Sequence, residues 1–231
     1  MPPTDDPPPA ASDGRATAAY VAPFLIYVSL MGLEHMLKLP IQIFYPIRCL
    51  ASAAAILLLS RSYFSLRPSQ LLASVALGVA VFVVWVAPDV LFGYRHFWLF
   101  ENSMFGSVTS SVPPELRDSL AFRAAHVLGS TLLVPILEEL FWRGWMMRWL
   151  IDARFLKVPL GAYAPGAFWL VALAFASDHG PYWEVGLAAG VLYNWWLVRT
   201  RNLADCMVAH SVTNGLLSAY VLGAHQWQYW L

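Results

Sequence analysis

Apolar residues in this chain run in long, nearly unbroken stretches separated by short polar breaks. The stretches are Ala18–Leu33, Ile41–Ser60, Gln70–Phe92, Leu120–Leu150, Gly161–Asp178, Glu184–Val198 and Leu203–Leu222. About 20 apolar helical residues cross a hydrocarbon layer of about 30 Å, so the pattern predicts an all-α, polytopic transmembrane helix bundle of about seven to eight spans. A membrane barrel would alternate apolar with polar positions over segments of about ten residues, whereas Ala51–Leu59 and Leu71–Val86 are almost continuously apolar. Residues 1–17 are polar and proline-rich and read as a disordered N-terminal tail without the basic front of a secretory signal. Residues 18–231 then form a single transmembrane helical domain. The one long connection, Gly93 to Ser119, mixes polar and aromatic residues and suits an interfacial helix.

Composition sharpens this picture. Of 231 residues 59% are hydrophobic and 12% charged, against about 25% charged in soluble domains, which leaves no room for a large extramembrane domain. Fourteen basic and fourteen acidic residues balance, so the electrostatic footprint of a nucleic-acid binder is missing. Cys49 and Cys206 lie in apolar stretches and read as small hydrophobes. With a cytoplasmic N-terminus, Arg15, Arg61, Arg67, Arg148, Arg154, Lys157, Arg199 and Arg201 share one side, and Lys38, Arg95 and Arg117 the other. That asymmetry predicts an integral protein of a bacterial inner membrane with its N-terminus in the cytoplasm. Trp142, Trp145 and Trp149 share one helical face near the basic loop, as an aromatic belt or as packing.

Ionisable side chains inside the hydrocarbon cost about 2.5 kcal/mol or more each, so each requires a partner or a task. The fourth span carries Glu138, Glu139 and Arg143, the fifth ends in Phe175-Ala-Ser-Asp-His179, the seventh carries His210 and Asn214, and Arg48 stands alone in the second. Glu139 and Arg143 are four apart in the favourable order for an ion pair. Glu138 points elsewhere and lacks that partner, which suits a general base that takes a proton from water and returns it. His210 and Asn214, also four apart, share a helix face and can donate to the oxygen of a tetrahedral intermediate. His179 can share the water with Glu138. Pro135 should kink the fourth helix one turn before Glu138. His126 is expected about 120° off the Glu138 face, and Asp178, next to His179, is expected behind the site. Glu184 and Asp205 look interfacial. At about 1.5 Å per residue, His179 would stand about 27 Å above the basic side, against about 15 Å for Glu138 and about 10 Å for His210. One chamber holds all three only if helices tilt, kink or begin deeper: either the fifth span starts late, with part of Ile151–Pro165 at the interface, or this set of residues is not one site.

These residues resemble the CPBP intramembrane proteases, the CAAX prenyl protease 2 or Abi family, whose motifs are Glu-Glu-x-x-x-Arg, Phe-x-x-x-His and His-x-x-x-Asn or Asp. They stand here in order as Glu138-Glu139 with Arg143, Phe175 with His179, and His210 with Asn214. The resemblance covers about Leu120 to Leu222. It implies a helix bundle with a buried, water-accessible chamber that cleaves peptide bonds of membrane-associated or lipidated proteins. Glu138 and His179 would activate water, His210 and Asn214 would hold the oxyanion, and Glu139, Arg143 and Phe175 would support them. Eukaryotic members remove the last three residues of prenylated proteins; a subset of similar size accompanies exosortase-type protein sorting, which makes a sorting system a candidate partner.

No cofactor is required by this reading. The alternative is a divalent metal such as zinc on Glu138, His179 and His210, although the compact His-Glu-x-x-His spacing is absent. Two other functions would use the same polar residues: a proton-coupled transporter, which usually carries internal repeats not found here, and a membrane scaffold that binds a peptide without cutting it. The expected contacts are membrane lipid and a membrane-associated protein or peptide substrate, with no nucleic acid.

Overall fold

The computed structural model describes residues 9–104 and 106–230, with side chains from Gly14 onward. Among them are seven long helices: α1 Pro9–Leu37, α2 Ile41–Ser60, α3 Leu71–Phe92, α4 Leu120–Trp149, α5 Pro165–Ser177, α6 Trp183–Thr200 and α7 Leu203–Ala224. The described residues contain no strand beyond a single antiparallel bridge between Asn102 and Gly106. The chain is a membrane-type helix bundle in which α1 from Gly14, α2, α3 and α4 are long and apolar enough to cross. The last three helices fall short of that standard for a reason: α5 has only 13 residues, and α6 and α7 turn Asn194, Asp205, His210 and Thr213 inward, all buried.

Part of the expected 1–17 tail is helical. Residues 1–8 lie outside the described residues, and α1 begins at Pro9. Proline is well placed at a helix start, and the alanine-rich sequence that follows favours helix while packing Ala16 and Ala19 against the core. Gly93–Ser119 holds no interfacial helix longer than the 3-10 turn Pro114–Leu116. It is pinned instead by Arg95, 1% exposed, which pairs with Glu184 and donates to the Pro181 carbonyl at 3.0 Å. Glu184 is therefore an ion-pair partner, and Asp205 is fully buried, accepting from the Gln70 amide at 2.8 Å and the Ser69 hydroxyl at 2.6 Å at the start of α3.

Helices pair as α1 with α2, α3 with α7 and α5 with α6. The α3–α7 approach depends on Gly78, where any β-carbon would collide with the Ala209 carbonyl and Val212; the Thr213 hydroxyl donates to the Gly78 carbonyl at 2.9 Å. Trp142 is core packing, edge-on to the rings of Phe24, Phe141 and Phe175, whereas Trp149 is 44% exposed.

Helix α4 is not regular. It widens into π-helical turns at Gly129–Leu133 and Leu140–Met146, leaving only Val134–Glu139 as ordinary α-helix between them. Pro135 has no amide hydrogen and its ring crowds the carbonyl four residues earlier, so the backbone relaxes by one wider turn, a device common at functional sites. The two adjacent glutamates sit at the end of this short α-helical piece.

Candidate active site

A cavity of about 240 Å³ opens inside the bundle, and Glu138, His179, His210 and Asn214 all line it. The height difference expected from a full-length fifth span disappears because α5 starts at Pro165 and residues 150–164 are irregular, apart from a 3-10 turn at Phe155–Lys157. His179 therefore hangs from the end of a short helix, at the level of the middle of its neighbours.

Glu139 and Glu138 part company as their helical phase requires. Glu139 is fully buried; its Oε1 accepts from Arg143 Nη1 at 3.1 Å and from His210 Nδ1 at 2.9 Å. Arg143 is also fully buried, with Nε donating to Asn194 Oδ1 at 3.0 Å and Nη2 to the Gly190 carbonyl at 3.4 Å. Its guanidinium lies 4.3 Å from the centre of the Phe175 ring and 5.4 Å from that of Tyr193. Asn194, donating in turn to the Phe168 carbonyl at 2.8 Å, locks this arrangement. Glu138 lines the cavity and makes no ion pair among the described residues, and its Oε2 is buried with no hydrogen-bond partner among them.

The histidines are held by their Nδ1 atoms. Nδ1 of His179 donates to the Phe175 carbonyl at 2.6 Å, so the neutral ring carries its lone pair on Nε2. Trp85 and Phe175 brace this ring edge-on and tilted, at 5.2 and 4.5 Å between centres. His210 stacks on Tyr193 at 5.0 Å. Because its Nδ1 is committed to a carboxylate, Nε2 donates only while the ring carries both protons. Asn214 gives one amide hydrogen to the Ser130 carbonyl at 2.9 Å and keeps the second. Phe175 is the hub of the constellation, touching Arg143, His179 and His210 at once.

Two residues expected elsewhere also line the cavity. Asp178 does so because α5 ends at Ser177, so the rule that neighbours diverge on a helix no longer applies to Asp178 and His179. His126 does so at the far end, stacked between Tyr45 and Trp230; the π-helical turn between it and Glu138 shifts the phase from which 120° was reckoned. Arg48, without an evident partner in sequence, pairs with Glu34 at 3.1 Å. Asn194 escaped the sequence reading altogether. Its one signal was an uncharged amide in the middle of an apolar run, which carries less cost than a charge and so draws less notice.

Among the described residues no three of His, Cys, Asp and Glu are grouped so as to hold a metal ion.

Residues 120–216 match a family model described as type II CAAX prenyl endopeptidase Rce1-like. No curated protein and no solved structure matches the chain.

Proposed function

We propose, from the similarity of residues 120–216 to the Rce1-like CAAX-type endopeptidases, that the cavity is the active site of an intramembrane endopeptidase that hydrolyses peptide bonds with a glutamate-activated water. One observation carries the reading: of two adjacent glutamates, the one left out of the ion pair lines the same cavity as two imidazoles and a carboxamide from other helices.

The steps follow from the donors and acceptors present. A water between Glu138 and His179 Nε2 gives its proton to the Glu138 carboxylate while its oxygen bonds to the scissile carbonyl carbon. The resulting oxyanion takes the second Asn214 amide hydrogen and, from the doubly protonated ring, His210 Nε2–H; one such donor is worth about 2.7–4 kcal/mol in the transition state. Collapse breaks the C–N bond, and Glu138 returns the proton to the leaving amine. Glu139 and Arg143 take no part in bond making. They fix the His210 ring, and their mutual neutralisation keeps Arg143 from quenching Glu138.

The substrate on this reading is a membrane-associated protein, presented by a sorting system. The N-terminus is cytoplasmic, which the charge distribution supports after one refinement. Arg148 is 6% exposed against Tyr20 and Phe155, and Arg95 is 1% exposed in its ion pair, so each side loses one loop charge and the excess remains. Comparison of membrane proteomes from cells carrying the natural protein and Glu138→Ala tests the proposal. A terminus that persists uncleaved in the variant, at equal enzyme abundance, is the expected result; full processing by Glu138→Ala overturns it. A transporter or a scaffold would leave the same termini in both cells.

A further inference from the structure

Beyond the reacting groups the cavity extends between α1, α2 and α4, where Tyr27, Tyr45, Arg48 and His126 line it. Arg48 is 7% exposed, and its guanidinium carbon stands 5.0 Å from the centre of the Tyr27 ring and 4.7 Å from that of Tyr45. Aromatic rings against its faces leave the in-plane N–H groups for hydrogen bonding. Only one edge is used: Nη1 donates to Glu34 Oε2 at 3.1 Å, while Nε is buried without a partner among the described residues. His126, also 7% exposed, stacks at 4.8 Å on Tyr45 and 4.0 Å on Trp230, and its Nδ1 is likewise buried and unpartnered. Buried polar atoms are nearly always hydrogen-bonded. Arg48 Nε can only donate and so calls for an acceptor that enters the cavity, which His126 Nδ1 also meets in the tautomer that carries its hydrogen there.

Charge decides what kind. Glu34 neutralises Arg48, and Glu139 neutralises Arg143. The charged side chains left on the cavity wall are the two carboxylates Glu138 and Asp178 against the one doubly protonated ring of His210, a surplus of one negative charge. A further anion would meet that surplus in poorly hydrated space, whereas a peptide oxygen brings the acceptor without the charge. Tyr27 lines the same cavity as Arg48 and Glu138.

We propose that Arg48 and His126 form a substrate-binding subsite that accepts a main-chain carbonyl oxygen of the bound polypeptide, so that the protein takes an uncharged internal segment and reads no free terminal carboxylate. This rests on the peptidase reading above and narrows its substrate class from chain ends to chain interiors. Arg48 lies outside the matched 120–216 segment and His126 inside it, so the subsite joins a flanking helix to the matched part of the bundle.

The test is made on the full chain in lipid nanodiscs with Glu138→Ala as the background, so that binding is read without cleavage. The probe is a dansylated peptide of leucine, valine and alanine, prepared once as the C-terminal amide and once as the free acid. The amide should bind at least as tightly as the acid. Adding Arg48→Lys, which keeps the charge opposite Glu34 but loses Nε and the planar fork, should weaken amide binding about tenfold. His126→Phe, which keeps the stacking and loses Nδ1, should weaken it severalfold, with the melting temperature of each variant confirming that the bundle is intact. The proposal is overturned if the free acid binds more tightly and Arg48→Lys removes that preference, or if both folded variants bind the amide like their parent. Should the natural protein cleave nothing while these binding differences hold, the catalytic reading fails and the subsite stands.

Discussion

Arg143 and Arg48 are both buried beside a glutamate, one in the catalytic half of the bundle and one in the helices that flank it. Arg143 spends every nitrogen on the protein, with Nε on Asn194, Nη1 on Glu139 and Nη2 on Gly190. Arg48 spends one, on Glu34. Asn214 stands between them, with one amide hydrogen bound to Ser130 and one unspent. A group whose hydrogen bonds are all satisfied internally has nothing left to offer a ligand and acts as scaffold. A group with donors to spare on a cavity wall is where binding and chemistry are to be sought.

That contrast can be broken in a graded series. The largest effect belongs to Arg143→Met, which strands the Glu139 carboxylate at zero exposure; it should cost about 3–5 kcal/mol of stability and appear as loss of folded protein in a detergent melt. If Arg143→Met melts like the natural protein, saturation does not mark the scaffold. Next comes Asn214→Ala, which should leave the melt in place and slow turnover by about 10²–10³-fold once a substrate is in hand; a slowing of less than about tenfold would remove its amide from the transition state. Arg48→Met should cost less than Arg143→Met, about 1–3 kcal/mol, because Glu34 sits near the end of α1 with 11% of its side chain exposed. Pairing it with Glu34→Gln should recover most of that loss, and a double variant as unstable as the sum of the two would contradict the pairing.

The smallest effect lies outside the bundle and supplies the screened counterpart of both buried pairs. Glu101 hydrogen-bonds His96 and the Val108 amide, and these bonds hold its carboxyl below the usual carboxylate range. A group whose folded value is depressed stabilises above its unfolded value and loses that contribution as pH falls through the folded one. Amide exchange at Val108 should therefore be pH-insensitive near neutrality, beyond the intrinsic base-catalysed trend, and show extra opening only below the ordinary carboxylate range. Opening that sets in above the ordinary carboxylate range would overturn it.

Much of the architecture was legible in the chain. Helices were forced by continuous apolar runs, because backbone groups in hydrocarbon must be satisfied within the segment. The Glu139–Arg143 pair and the separation of Glu138 from it were legible in helical spacing alone. The late start of the fifth helix was posed by the arithmetic of heights but settled by Pro165, and the inward turn of Asp178 followed from where α5 stops. The π-helical turns of α4 were only half visible: Pro135 announced a disturbance, not its form.

Residue types, their spacing within each helix and the excess of basic charge on one side are properties of the sequence by itself, since they depend on 3.6-residue periodicity and on the cost of polar groups in lipid. Which helices stand next to one another was decided by packing, through contacts such as Gly78 against Ala209 that join residues far apart in the chain. The meeting of Glu34 with Arg48, of Asn194 with Arg143 and of His126 with Trp230 belongs to the tertiary structure. No local rule reaches across separate helices, because what selects those partners is the fit of side-chain volumes and the need of each buried donor for an acceptor.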